Sequence, residues 1–235
     1  MNYSAEQRAR LQAMGMGPLW MLRERDGTPA PSASAEVRSV KNIDTLDWDV
    51  LEQTVAACAA CGLCKSRTQT VFGVGDRKAD WLLIGEAPGQ EEDTRGKPFV
   101  GQAGKLLDNM LKAVGLARGN NVYIANVLKC RPPNNRNPEP SEVAQCAPYL
   151  QRQVKLLQPK LIVVMGRFAA QTLLNSDASI ASLRGKVHHY RAHPEDAAIP
   201  VIVTYHPAYL LRTPTDKAKS WADLCLAQAT FQQQQ

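Results

Sequence analysis

Three cysteines crowd into CAACGLC, Cys58, Cys61 and Cys64, and two more, Cys130 and Cys146, flank a proline-rich basic loop. A Cys-x-x-Cys pair can grip a metal from one tight turn. Thiolates from distant sequence then complete a tetrahedral or cubane site, which suits zinc or an iron–sulfur cluster, and spacing alone does not separate the two. Cys225, alone on a C-terminal helical pattern, reads instead as a small buried hydrophobe. A second group of residues is polar and scattered: Glu86 in GEAPG, Asn126 just ahead of KCRPPNNRNP, and His206 in HPAYLLR. Lys129, Arg131, Arg136 and Arg212 flank them. GEAPGQEED is no phosphate cradle, because the Walker lysine spacing is absent and the acids would repel phosphate. An acidic turn leading to an exposed Phe99 better suits a flat, uncharged ring. HPAYLLR has a plainer reading as a helix-start turn with a core Tyr and two Leu.

Those residues work together only if the fold gathers them. From about residue 80 onward, short β-rich apolar runs alternate with helical patterns. Strands are expected at 81–85, 122–128, 160–166 and 199–205. Between them GQAGKLLDNMLKAVG, SEVAQCAPYLQRQVKLLQ and RFAAQTLLN repeat apolar residues at three and four. Strands apolar on both faces and separated by helices imply an α/β fold, a mainly parallel four-stranded sheet covered on both sides. In such a sheet the ligand crevice lies beyond the carboxyl ends of the strands. The first strand delivers Glu86 there, the second carries Asn126 near its end, the third ends at Gly166, and the fourth delivers His206.

The whole chain is 235 residues, 44% apolar, enough for one main domain with an appendage. Its apolar runs fall far short of the ~20 residues a bilayer requires, and MNYSAEQRAR lacks a secretory apolar stretch. A protein kept in the cytoplasm is expected, with its six cysteines as thiols free to bind metal. Lys plus Arg number 28 against 22 Asp plus Glu, a net charge of +6 that leans toward a polyanionic partner. Residues 29–36 form a Pro, Ala and Ser run with no apolar period, so the expected organisation is a peptide at 1–28, a linker at 29–45 and a catalytic domain at 46–235.

The motifs in combination are more specific than any one of them. Cys-x-x-Cys, Arg67-Thr68, GEAPG, GKPFVGQAG, NVLKCRPPNNRNP, Cys146, RGK at 184–186 and HPAYLLR together resemble the family 4 uracil-DNA glycosylases, over roughly residues 50–230. The resemblance implies the three-layer α/β/α fold of that superfamily and a four-iron, four-sulfur cluster on four cysteines. The family's C-x2-C-x-L-x3-RT frame selects Cys58 and Cys61, with Cys130 and Cys146 completing the set and Cys64 left over. It further implies uracil-containing DNA as substrate. The flipped base would stack on Phe99 and pair with the Asn126 carboxamide. His206 would donate to O2, and Glu86 would orient water and stabilise the sugar cation. Leu210 would push into the vacated space, Arg212 would hold a phosphate, and Arg131 and Arg136 would lie against the backbone. The best-known uracil-DNA glycosylases have an Asp and a Tyr in a GQDPY motif where this chain has Ala87 and Gly89. Exclusion of the thymine methyl then falls to Glu92. A basic KRRIH loop, the mark of a related branch that traps DNA covalently, is absent from the sequence.

Residues 7–25 hold Leu11, Met14, Trp20, Met21 and Leu22 among arginines. They read as an amphipathic segment folded onto the domain. RLQAMGMGPLWMLR also resembles the N-terminal peptide of the clamp loader psi subunit, which implies recruitment to clamp loader subunits. The competing account of the whole chain is a metal-bearing, nucleic-acid-binding module without catalysis, expected like the enzyme to be monomeric.

Overall fold

The structure, a computed structural model, describes Arg10, Ala13 and residues 43–234. The readings of the N-terminal peptide and of most of the linker therefore lie outside the described residues. A 3-10 turn at Ile43–Thr45 leads into helix α1, Trp48–Ala56, where the Asp47 carboxylate caps the first turn by accepting from Val50 N–H at 2.9 Å. Ile43, Leu46 and Trp48 pack against Leu51, Val55, Phe72 and Tyr149.

Six strands form one sheet: β1 (Val74–Gly75), β2 (Trp81–Gly85), β3 (Val122–Asn126), β4 (Leu161–Met165), β5 (Val187–Tyr190) and β6 (Ile199–Thr204). Their spatial order is β1-β3-β2-β4-β6-β5. The inner four are mutually parallel, and the two edge strands run antiparallel to their neighbours. The expectation of four strands is thus corrected to six. Sequence pattern hides both edges for physical reasons. β1 is too short to show a period, and VHHY in β5 is half exposed, with no apolar run to mark it.

The inner strands bury both faces, as their composition requires, and alternation decides which residue faces which layer. Leu82, Ile84, Tyr123, Ala125, Ile162, Val164, Val201 and Val203 form one core with α4 (Pro140–Leu157) and α5 (Arg167–Leu174). Trp81, Leu83, Val122, Ile124, Leu161, Val163 and Ile202 form the other with α3 (Gln102–Ala113) and α8 (Lys217–Gln232). The result is the expected α/β/α sandwich. Short helices α2 (Gln90–Arg95), α6 (Ile180–Leu183) and α7 (Pro207–Arg212) complete it.

Connectivity fixes where a ligand can bind. The chain leaves β2 for β3 on one side, then returns past β2 to β4 on the other, so the switch point lies between β2 and β4. The crevice beyond their carboxyl ends is where Glu86 and Gly166 emerge. None of the described helices is long and apolar enough to cross a membrane.

Candidate active site and cysteine centre

Glu86, Ala87, Glu92, Phe99, Asn126, Arg136, His206 and Arg212 line one cleft at the carboxyl end of the sheet. Backbone packing brings the floor together. A Cβ on Gly85 would lie 2.4 Å from Asn126 Oδ1 and 2.7 Å from Phe99 Cζ, so only glycine lets the amide and the ring approach across β2. Phe99 is not exposed as expected but 6% accessible, in left-handed conformation at φ 53°. Its strained backbone is held from outside: Arg118 donates to Pro98 O and Phe99 O, each at 2.9 Å, and pairs with Asp108.

Asn126 is 2% exposed, and its Oδ1 has no hydrogen-bond partner. An orphaned acceptor at this depth costs about 1–3 kcal/mol unless something fills it. His206 caps α7, its Nδ1 accepting from Ala208 N–H at 3.1 Å. Nδ1 is therefore the unprotonated nitrogen and Nε2 carries the hydrogen, free to donate. Burial, helped by Arg212, pushes the imidazole down to about 4 against a smaller opposing pull from Glu92, so it is neutral at physiological pH. Its ring lies over Phe99, centroids 5.4 Å apart at 29°. A Cβ on Gly166 would meet His206 Cβ at 3.2 Å, which accounts for the glycine ending β4. Burial also raises the Glu86 carboxyl, with Arg167 partly offsetting it.

Glu92 serves as a loop anchor: its Oε1 accepts from Val100 N–H at 2.9 Å and Gly101 N–H at 3.2 Å. Its Oε2 would stand 2.7 Å from a Cβ on Gly89, so this carboxylate occupies the space a side chain at 89 would need.

Several expectations need correction. Leu210 is 1% exposed, a core residue that cannot reach DNA from its place, whereas Leu211 beside it is 44% exposed. The plainer reading of HPAYLLR, a helix start, holds for Leu210, while the same segment supplies His206. Arg131 lies outside the cleft lining, its Nε donating to Asn135 Oδ1 at 2.7 Å. Arg136 forks onto Glu142 at 2.6 and 3.0 Å and touches Glu139 at 3.2 Å, so its terminal nitrogens brace the loop onto α4. Lys129 does not flank the cleft but is buried beneath it, and burial pushes its ammonium down to about 8. Cys225 is exposed, not buried.

Cys58, Cys61, Cys64, Cys130 and Cys146 line a single hollow with Arg67, Lys129 and Tyr149. Arg67 Nη1 donates to Cys130 Sγ at 3.0 Å and Nη2 to Cys58 O at 2.7 Å, while Lys129 N–H donates to Cys146 Sγ at 3.3 Å. Such donors stabilise thiolate sulfur. Burial raises the Cys61 and Cys130 thiols and pushes Cys146 up to about 11, so metal must displace their protons. Among the described residues no three donors converge on a point at single-ion distance. Thiols spread around a hollow suit a multi-iron cubane, each meeting a different iron. Leu63, Leu128, Cys130 and Ala87 pack together, joining this hollow to the wall of the cleft.

Sequence reading gave no role to Arg67 and did not single out Arg118 or Gly85. Arg67 carried a signal, a fixed distance from the cysteine pair. Arg118 carried none, because its partners are loop carbonyls.

Residues 72–228 match the uracil DNA glycosylase superfamily model. Type-4 uracil-DNA glycosylases of Archaeoglobus fulgidus, Sulfurisphaera tokodaii and Thermotoga maritima are 47%, 44% and 39% identical to the chain. The alignments cover 71%, 70% and 73% of this chain and 84%, 76% and 86% of the relatives. The chain belongs to the type-4 uracil-DNA glycosylase family. Within that family frame, the cleft and the cysteine hollow are two sites joined by one loop, residues 127–139. This loop begins at the end of β3 beside Asn126, carries Cys130, and ends at the capping box of Glu139 and Glu142 on α4.

Proposed function

We propose that the chain hydrolyses the N-glycosidic bond of deoxyuridine in DNA, releasing uracil and leaving an abasic site. The observation that carries this reading is the orphaned Asn126 Oδ1, buried in the cleft beside the Phe99 ring. Uracil N3–H supplies the missing donor and its O4 accepts from the carboxamide nitrogen. Cytosine presents the inverse pattern and leaves both groups unpaired, a mismatch that discriminates by several orders of magnitude. The base must first leave the stack, which costs a few kcal/mol and favours mismatched or single-stranded uracil.

As the bond breaks, negative charge gathers on the ring and positive charge on the sugar. His206, neutral with hydrogen on Nε2, donates to O2 in a site shielded from water and stabilises the departing anion. Ionised Glu86 stabilises the sugar cation and orients the attacking water. Glu92 shapes the cleft wall near Gly89 and Ala87, the side from which a thymine methyl is refused. Arg212 and Leu211 sit on α7 where DNA would enter.

Cys58, Cys61, Cys130 and Cys146 are the residues that would hold the four-iron, four-sulfur cluster, with Cys64 a fifth thiol in the same hollow. The hydrolysis transfers no electrons, and the bound group supplies a cross-link that fixes the loop carrying Arg131 and Arg136. Recruitment to clamp loader subunits through residues 7–25 is part of the proposal, as is work in the cytoplasm as a monomer. Loss of clamp loader binding on deletion of residues 1–28 tests the first.

The test of the activity is incubation of the purified protein with a uracil-containing oligonucleotide, then alkaline cleavage. Strand scission at uracil and none at cytosine is expected, with no heat- and SDS-resistant adduct. Binding without scission would favour a module that only holds nucleic acid.

A further inference from the structure

Lys129 is 1% exposed and the bulkiest side chain buried so deeply among the described residues. An ammonium at that depth needs a counter-charge. Its Nζ donates to two neutral acceptors, Asn126 O at 2.9 Å and Gln153 Oε1 at 2.6 Å. Gln153 is itself fixed, its amide nitrogen donating to Phe72 O at 3.0 Å and Tyr123 Oη at 3.4 Å, so its oxygen has to face the lysine. The groups of opposite charge that act on Lys129 are the sulfurs of Cys146 and Cys130. Lys129 N–H contacts the first of these, and the second is its chain neighbour. One side chain thus touches the carbonyl of the residue that reads the base and takes its charge balance from the cysteine centre.

We propose that Lys129 is a positioning residue that ties base selection to the thiolate cluster: its ammonium clamps the Asn126 carbonyl, and so the aim of the Asn126 carboxamide, while the cluster thiolates supply its counter-charge. The proposal rests on the reading of Asn126 as the uracil-recognising residue. Nothing else donates to the Asn126 carbonyl among the hydrogen bonds described for it, so loss of the ammonium frees that peptide plane to swing and carries Oδ1 with it. A lysine that merely filled space would be replaced by methionine, of similar length, without effect on recognition.

The test compares iron-loaded wild type with Lys129→Met in three readouts: inhibition by free uracil, affinity for abasic-site DNA, and the midpoint potential of the cluster followed by its visible absorbance. The variant is expected to lose tenfold or more in uracil inhibition while holding abasic DNA within twofold. Its potential moves negative, because a positive charge that favoured the reduced cluster is gone. Uracil inhibition within threefold of wild type, or an unmoved potential, overturns the proposal. Absence of uracil release by wild type instead defeats the reading of the site, and that result is in hand before any variant is made. If Lys129→Met assembles no cluster, reciprocity supplies the test in wild type alone: saturating uracil shifts the midpoint potential, and a potential indifferent to uracil overturns the coupling.

Discussion

Gly85→Ala puts a single methyl group where the site leaves no room. The added Cβ would meet Asn126 Oδ1 at 2.4 Å and Phe99 at 2.7 and 2.9 Å, against ordinary contacts of 3.4–4 Å. Amide or ring must therefore retreat by about 1 Å, and a misplacement of that size costs about 10²-fold in rate. Both neighbours are fixed, Phe99 by the Arg118 donors on its backbone and Asn126 by Lys129, so the retreat is resisted and the strain is also felt in stability, by about 1–3 kcal/mol. The assay is kcat/KM on a single-stranded uracil oligonucleotide, with abasic-DNA affinity and urea unfolding alongside. A fall near 10²-fold with DNA affinity unchanged is expected. Activity within threefold of wild type would refute the argument that Gly85 exists to let the amide meet the ring.

Leu211→Ala should reduce excision from duplex more than from single strands with little effect on stability, whereas Leu210→Ala should cost about 2–5 kcal/mol in urea unfolding. Equal effects of the two on duplex excision would dismiss Leu211 as the exposed apolar contact. On acidification kcat/KM should fall first through protonation of Glu86, whose carboxyl is raised above its ordinary 4.5, before His206 takes a proton near 4. Glu86→Gln removes that limb along with nearly all release. The depressed His206 also sets a stability slope. The unfolded imidazole binds its proton below 6.5 and the folded one only near 4, so stability present above 6.5 is lost on descent through that window, about 3 kcal/mol in all. Urea unfolding of His206→Gln at pH 7 and 4.5 should lack that slope. Arg67→Leu removes the donor to Cys130 Sγ and the tether to Cys58 O, and should hasten loss of iron to a chelator; unchanged retention would leave Arg67 without a part in the centre.

The inner sheet was legible because strands buried on both faces must read as unbroken apolar runs, and WLLIG or LIVVM have no other soluble use. Its edges were not, since β5 has one wet face and β1 only two residues. Polar residues at strand ends located the cleft for the same topological reason. What sequence could not convey was depth. Leu210 and Leu211 are the same residue type side by side, and only helix phase on α7 decides which is core and which is surface. Lys129 and Arg136 both read as cations for DNA, yet one is buried against a carbonyl and an amide and the other is braced on Glu142. Those partners lie on α4 and at the end of β3, and nothing local to the lysine or the arginine announces them.

A crystal structure of the protein with uracil bound addresses the central claim. The ring should lie against Phe99, with N3 at 2.7–3.2 Å from Asn126 Oδ1, O2 within the same range of His206 Nε2, and Glu86 facing the position of the sugar. Uracil seated elsewhere, or in the cleft with Asn126 Oδ1 still unpaired, would contradict it.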